Sequence, residues 1–438
     1  MQRSCRSDRS RFHPAAVITT AAIALTLTAA LTATLVASLP AQAADDPADL
    51  TEQQVGTRFM LRAADLPPPY STRSTGNPSR RLARPDGATL RVPDGFRANL
   101  FATDLTHPRW LQVAPNGDVF LAESRAGRIT LLRDSDGDGR ADRRFTFADG
   151  LDRPHGMALR DGWLYVGETT QVRRLGYRDG ATAATTAPMD VTAPGSLGYG
   201  GGHWTRNIAF DPRGDGFAVA VGSAGNIRAE APPRATIQHF TIDGRGQSTF
   251  ASGLRNPVGI AYHPTTGDLY AVVNERDGLG DGLVPDYLTR VTPGAFFGWP
   301  YGYIGNHPDP TMDGQRPDLV ARTQVPGVLF QAHSAPLGLV FYDGDQFPAD
   351  WRGDAFVALH GSWNSSQPTG YKIVRVPFRE GRPDGSYVNF ATGFWTEGID
   401  RAGVIGRPVG LAVWTDGSLL VADDAGRAVW RISYTGPN

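Results

Sequence analysis

Gly253-Leu254-Arg255-Asn256-Pro257-Val258-Gly259-Ile260-Ala261-Tyr262-His263-Pro264-Thr265-Thr266-Gly267-Asp268-Leu269-Tyr270-Ala271-Val272-Val273-Asn274-Glu275-Arg276-Asp277 reads as half of a repeating β unit. Gly253 to Gly259 is a loop, Ile260 to Tyr262 a short apolar strand, Pro264 to Gly267 a turn and Leu269 to Val273 a second apolar strand. Aligning on the proline three residues before the first strand brings Pro108, Pro154, Pro257, Pro336 and Pro408 into register, with Thr205 filling the position between Pro154 and Pro257. Their spacing, 46 residues from Pro108 to Pro154 and 79 from Pro257 to Pro336, is at or above that of four-stranded propeller repeats. The sequence therefore predicts an all-β fold, a six-bladed β-propeller over residues 95–438, whose first blade opens at Phe96.

Composition narrows the function. A formal net charge of −1, with Lys and Arg scattered among Asp and Glu, removes the electrostatic reason to expect nucleic acid. Gly 52 and Pro 33 suit many tight turns. Before the repeats lie Arg3, Arg6, Arg9 and Arg11, an apolar run from Ala15 to Leu39 and Pro40-Ala41-Gln42-Ala43. Residues 1–43 are thus expected to be a secretory signal peptide, leaving no stable membrane span after processing and a periplasmic or secreted protein; the alternative is an uncleaved anchor, since the apolar run is long enough to span a membrane. The single cysteine, Cys5, falls inside that segment, so any metal in the mature chain must be held by oxygen or imidazole. Residues 44–94 are Pro/Arg-rich without helix or strand period and read as either an extended N-terminal arm, available to wrap on the first blade, or a disordered linker.

Residues entering the innermost strand of each blade crowd round the axis at one end, where propeller sites usually lie. Here they are His107 and Arg109, Arg153 and His155, His203 and Arg206, Arg255 and Asn256, His333 and Ser334, and Arg407. A ring of cations and imidazoles suits an anionic ligand carrying several carboxylates. In Gly200-Gly201-Gly202-His203 the glycines permit close approach of a ligand, and the imidazole titrates where a general base should. A second motif, Asp134-Ser135-Asp136-Gly137-Asp138-Gly139-Arg140-Ala141-Asp142, spaces Asp134, Asp136, Asp138 and Asp142 as in a calcium loop, but Phe145 stands where a bidentate Glu is needed. It reads as either a surface calcium site or a solvated Asp/Gly turn.

The succession G-G-H-x-x-R-N-I-A-F (201–210), G-L-R-N-P-x-G-I-A (253–261), V-N-E-R-D-x-L-G-D-x-L-V-P-D-Y-L-T-R-V (273–291), F-F-G-W-P-Y (296–301) and H-G-S-W-N (360–364) resembles the glucose/sorbosone dehydrogenase family, and most of all its sorbosone dehydrogenase branch. The resemblance implies a soluble sugar dehydrogenase that uses pyrroloquinoline quinone (PQQ) and Ca2+. Catalytic roles fall to His203, as the base taking the sugar hydroxyl proton, and Arg255, which stabilises the oxyanion. Cofactor contacts fall to Arg206, Asn256, Arg407, Lys372, Trp363, His155 and Arg109, and the active-site calcium to the main-chain carbonyls of Arg276 and Asp277. The partners implied are a small sugar or sugar-aldehyde substrate and an external electron acceptor, a quinone or cytochrome, since no C-x-x-C-H haem motif is present. Two departures stand out: Gly202 replaces an Asp that often precedes the base, and the cofactor lysine has no clean counterpart, Lys372 lying nearby. The alternatives are a calcium-dependent propeller lactonase or other hydrolase, and a non-catalytic ligand-binding propeller.

Overall fold

The computed structural model describes residues 46–436, so the expected signal peptide lies outside the described residues. Among them no helix is long and apolar enough to cross a membrane. Antiparallel strands dominate, arranged as small sheets in a propeller-like, all-β fold. The strand beginning at each aligned position opens a sheet: Pro108–Val113, Met157–Arg160, Arg206–Phe210, Asn256–Tyr262, Pro336–Phe341 and Pro408–Val413. Each pairs with the next strand in sequence, respectively Val119–Glu123, Trp163–Gly167, Gly216–Val221, Leu269–Asn274, Ala355–Leu359 and Leu419–Asp423; two further strands complete each sheet except the one opened by Pro336–Phe341, which has three. The six opening strands pack against one another in cyclic order, Pro408–Val413 returning to Pro108–Val113.

The local sequence explains this close approach. Proline lacks an N–H for the ladder, and the pairing slips by a residue or more just after Pro108, Pro257, Pro336 and Pro408, as a bulge requires. Two residues past the aligned proline stands Gly156, Gly259, Gly338 or Gly410. A Cβ on Gly259 would lie 2.7 Å from the Leu337 carbonyl oxygen, and one on Gly410 would lie 2.9 Å from the Trp110 Cα. The missing side chain is what lets neighbouring opening strands meet.

Between sheets the faces are apolar. Ala218 and Ile237 of one sheet pack on Ile260, Ala271 and Tyr287 of the next, and Tyr270 and Val272 on Leu339, Val357 and Val374 of the one after. Every residue of Gly216–Val221 is buried, which is why the second strands read as unbroken apolar runs rather than alternating ones.

Two expectations need correction. Phe96–Ala102 does not open the first sheet; it pairs with Ala428–Tyr434 and forms the outer strand of the last. The first sheet begins at Pro108 and ends with Arg143–Ala148. The arm is ordered, but it lies on later sheets: Arg58–Phe59 pairs with Tyr387–Val388, and Arg80–Arg81 runs parallel to Gly403–Val404. An edge strand with free N–H and C=O groups was available at Tyr387–Ala391, and the arm occupies it.

Candidate active site

In an antiparallel pair the start of one strand and the end of the next lie side by side. The entries to the opening strands and the exits of the second strands therefore meet at one end of the molecule. A cavity of about 470 Å³ opens there, walled by Arg109, His203, Arg255, Asn256, His333 and Arg407 of the expected ring, together with Glu275, Asp277, Asp286, His360 and Trp363. Three pre-proline residues at this end, His107, Arg153 and Ala335, hold φ of 55°, 48° and 56°. Such backbone is disfavoured for residues with a Cβ and is found where a site requires it.

His203 is half-buried, with Nδ1 3.0 Å from both the carbonyl and the hydroxyl oxygen of Ser223. A carbonyl can only accept, and the Ser223 hydroxyl donates to the Gly225 carbonyl at 2.7 Å, so Nδ1 carries the proton and Nε2 keeps its lone pair. Burial, and then the Arg255 guanidinium, push the His203 pKa down to about 4. Ser223 thus orients the ring that the absent Asp would otherwise hold. No side chain fits at position 202, because Gly202 has φ +60° and a Cβ there would lie 2.5 Å from the Ala224 Cα.

Arg255 is buried beside the base. Its Nη1 donates to the Glu275 carbonyl at 2.7 Å, and its Nη2 donates to Asn226 Oδ1 at 2.9 Å and to Asp277 Oδ2 at 3.1 Å. Asn256 leaves a buried Oδ1 without a partner, and Arg109 a buried Nε. Arg407 donates to the carbonyls of His360 and Gly361, at 3.0 and 2.6 Å. His333 is committed on both nitrogens: Nε2 to the Gly280 carbonyl at 3.0 Å and Nδ1 toward Asp277 at 3.8 Å. Burial opposes its protonation, but Asp277 and the Gly280 carbonyl outweigh it and raise the pKa.

Three residues expected at the cofactor do not line the cavity. Arg206 is fully buried and donates to the carbonyls of His203, Thr205 and Leu197; it props His203 from behind. His155 is fully buried between Trp110 and Trp204. Lys372 donates to the Glu52 carboxylate at 2.8 Å and lies 4.8 Å from the Phe59 ring, so the arm takes the charge that a cofactor would have taken. Trp363, by contrast, is 54% exposed at the cavity, which excludes a core role.

The wall below Arg255 is rich in oxygen. Burial pushes the Glu275 pKa up to about 8 and that of Asp286 to about 6. The Asp277 carbonyl already accepts from the Asn226 amide at 2.9 Å, and the Arg276 side chain pairs with Asp309 at 3.4 Å. Away from the cavity, ligand atoms of Asp134, Asp136 and Asp138 lie within 4.8 Å of one another. Asp142 is not in that group; its carboxylate accepts from the Ser135 amide and hydroxyl, closing the loop on itself.

Ser223, Glu275, His360 and Asp424 follow the second strands of their sheets, whereas the ring expected from the repeat held only entries to the first. The register that produced one ring of residues contains the other.

The donor set fits a planar polycarboxylate, because Arg109, Arg255 and Arg407 converge on one cavity with a buried Nε and Oδ1 unclaimed. A pyrroloquinoline quinone-dependent pyranose dehydrogenase of Coprinopsis cinerea is 26% identical over 414 residues, covering 80% of this chain but only 55% of that protein. The holo form of the pyranose dehydrogenase PQQ domain from the same organism superposes with a TM-score of 0.68 at 22% identity, covering 81% of this chain and all of that one. The calcium structure of Trichoderma reesei carbohydrate-active enzymes family AA12 gives 0.68 at 21%, covering 79% and 97%. The resemblance carried by the motifs to PQQ-dependent sugar dehydrogenases is thus met again in whole-chain similarity. With the TrAA12-like sequence profile matching residues 90–285 and 312–435, the chain belongs to the TrAA12-like family.

Proposed function

We propose that this protein is a PQQ- and calcium-dependent dehydrogenase. It oxidises an aldose or a sorbosone-like sugar aldehyde to the lactone or acid, and passes electrons to an external acceptor. We further propose that its six opening strands mark six propeller blades, and that it is exported and acts in the periplasm or outside the cell. The observation that carries the reading is one cavity holding a neutral imidazole with a free Nε2 beside three guanidinium groups.

PQQ supplies the two-electron acceptor when bound, with Ca2+ as Lewis acid. Arg109 and Arg407 hold its carboxylates, Asn256 Oδ1 takes a donor, and Trp363 flanks the open side. The carbonyls of Arg276 and Asp277, with the oxygen wall about Glu275 and Asp286, supply hard ligands for the cation. His203 Nε2 takes the proton of the substrate hydroxyl while Ser223 keeps the ring aligned. Arg255 meets the oxygen on which negative charge grows, its geometry fixed beforehand by Glu275, Asn226 and Asp277.

That same oxygen wall favours a second reading, a calcium-dependent lactonase. One experiment separates the two. Purified apoprotein with PQQ and Ca2+ should reduce a dye in the presence of aldoses, whereas lactone hydrolysis with Ca2+ alone would refute the dehydrogenase.

A further inference from the structure

We propose that Asp424 is a positioning residue that acts through Arg109 and His360 to set the anion-binding end of the cavity. The inference rests on the PQQ reading. Asp424 itself does not line the cavity; it lies one layer behind it. One carboxylate oxygen accepts from Arg109 Nη1 at 2.6 Å and faces His107 Nε2 at 3.6 Å, and the other accepts from His360 Nε2 at 3.0 Å. Arg109 and His360 do line the cavity. They come from different sheets, Arg109 from the first and His360 from the exit of Ala355–Leu359. Arg407, the third member of this end, donates to the His360 and Gly361 carbonyls, so its aim depends on the same loop. One buried carboxylate thereby fixes two side chains across a junction between sheets, where no backbone ladder does so.

The geometry also explains a missing residue. The lysine that the sequence resemblance expects at the cofactor is spent on Glu52. Arg109, carried by the opposite end of the chain, stands in the cavity with its Nε unclaimed. Held by Asp424 through Nη1 only, it can present its remaining donors to a carboxylate.

Electrostatics alone predicts the opposite of positioning. Asp424 is an anion close to where an anionic ligand would sit, so removing its charge should tighten binding if charge were all that mattered. If it positions Arg109 and His360, removing it should loosen binding, because the guanidinium and imidazole lose their fixed aim. The sign of the change decides between them.

The test is direct titration of the apoprotein with PQQ, followed by quenching of tryptophan fluorescence, for wild type, Asp424→Asn, Asp424→Glu, Arg109→Met and Asp424→Asn/Arg109→Met. Wild-type binding tests the PQQ reading by itself. Given that binding, Asp424→Asn and Asp424→Glu should each weaken it by roughly 10- to 100-fold, the range of one charged hydrogen bond. The double variant should be little weaker than Arg109→Met, since Asp424 acts through that side chain. Tighter binding in Asp424→Asn, unchanged binding in Asp424→Glu, or additive losses would each overturn the proposal. Should Asp424→Asn not fold, Arg109→Met and His360→Leu, singly and together, interrogate the carboxylate from its partners' side. Non-additive losses support the coupling, and additive ones refute it.

Discussion

Replacing His203 by Gln keeps the local structure and removes the base. The Gln amide can donate to the Ser223 carbonyl as Nδ1 does now, while no lone pair of comparable basicity remains where Nε2 stood. Arg206, buried behind it, still holds the main chain through the His203 carbonyl. Turnover at saturating sugar should therefore fall by roughly 10²- to 10⁴-fold, the usual cost of losing a general base, with PQQ affinity changed by less than about threefold. The pH profile supplies a second, independent reading. An ordinary histidine is about three-quarters protonated at pH 6, but with His203 pushed to about 4 only about one ring in a hundred is protonated there. A lowered pKa moves the acid limb of kcat/KM downward, so its inflection belongs near pH 4 instead of 6.5. The assay is dye reduction with reconstituted protein from pH 3.5 to 8, alongside NMR titration of the His203 Cε1 proton. Retained turnover in His203→Gln, or an inflection near 6.5 that tracks His203, refutes the assignment.

Other outcomes follow from the same contacts. His333, whose pKa is raised with both nitrogens committed, should titrate above 6.5 by NMR, and His333→Gln should leave the acid limb of wild type in place. Lys372→Met should lower stability in urea by about 3 kcal/mol, because it strands the Glu52 carboxylate, yet leave PQQ affinity unchanged; lost affinity with normal stability would restore Lys372 to the cofactor. Gly202→Asp should reduce activity and destabilise by roughly 1–3 kcal/mol, since the φ there is +60° and the Ala224 backbone fills the Cβ position; a gain in rate would refute Ser223 as the orienting group. Chelation should abolish dye reduction and lower Tm, since an ion bound only to the folded state at 100 times its Kd adds about 2.7 kcal/mol; an unchanged Tm and rate would remove calcium from the site.

The repeat was legible because its signals are local. A proline that cannot join the ladder, a glycine two residues on and a turn before the next apolar run all lie within about twenty residues, and each has one structural meaning. His203, Arg255, Asn256 and Arg407 could be found for the same reason, standing beside those punctuation marks. Asp424 and its link to His360 were hidden because that contact lies between sheets, and Ser223 because it meets His203 only through the strand pairing of their sheet. Nothing near Asp424 in the sequence points to Arg109, which joins it only when the last opening strand returns to the first. Arg206 misleads in the opposite way: a cation at the right register looks like a ligand until the three carbonyls it donates to are seen, and Lys372, lying near where the resemblance expects a lysine, is paired with Glu52. The arm's two short strands were not legible because they borrow an edge from distant sheets and have no period of their own.

The pairing of Phe96–Ala102 with Ala428–Tyr434 has a consequence for biosynthesis. The early strand is made long before its partner, so the closing sheet must wait until Ala428–Tyr434 is free to pair with it. Until then the backbone of Phe96–Ala102 has no strand to pair with and offers an unpaired edge to any neighbouring chain. Five sheets can form on the way, yet the cavity stays open on the side of Arg109, Arg407 and Asp424. A chain cut short by even its last strand would carry almost every residue of the site and lack the seam that brings them together.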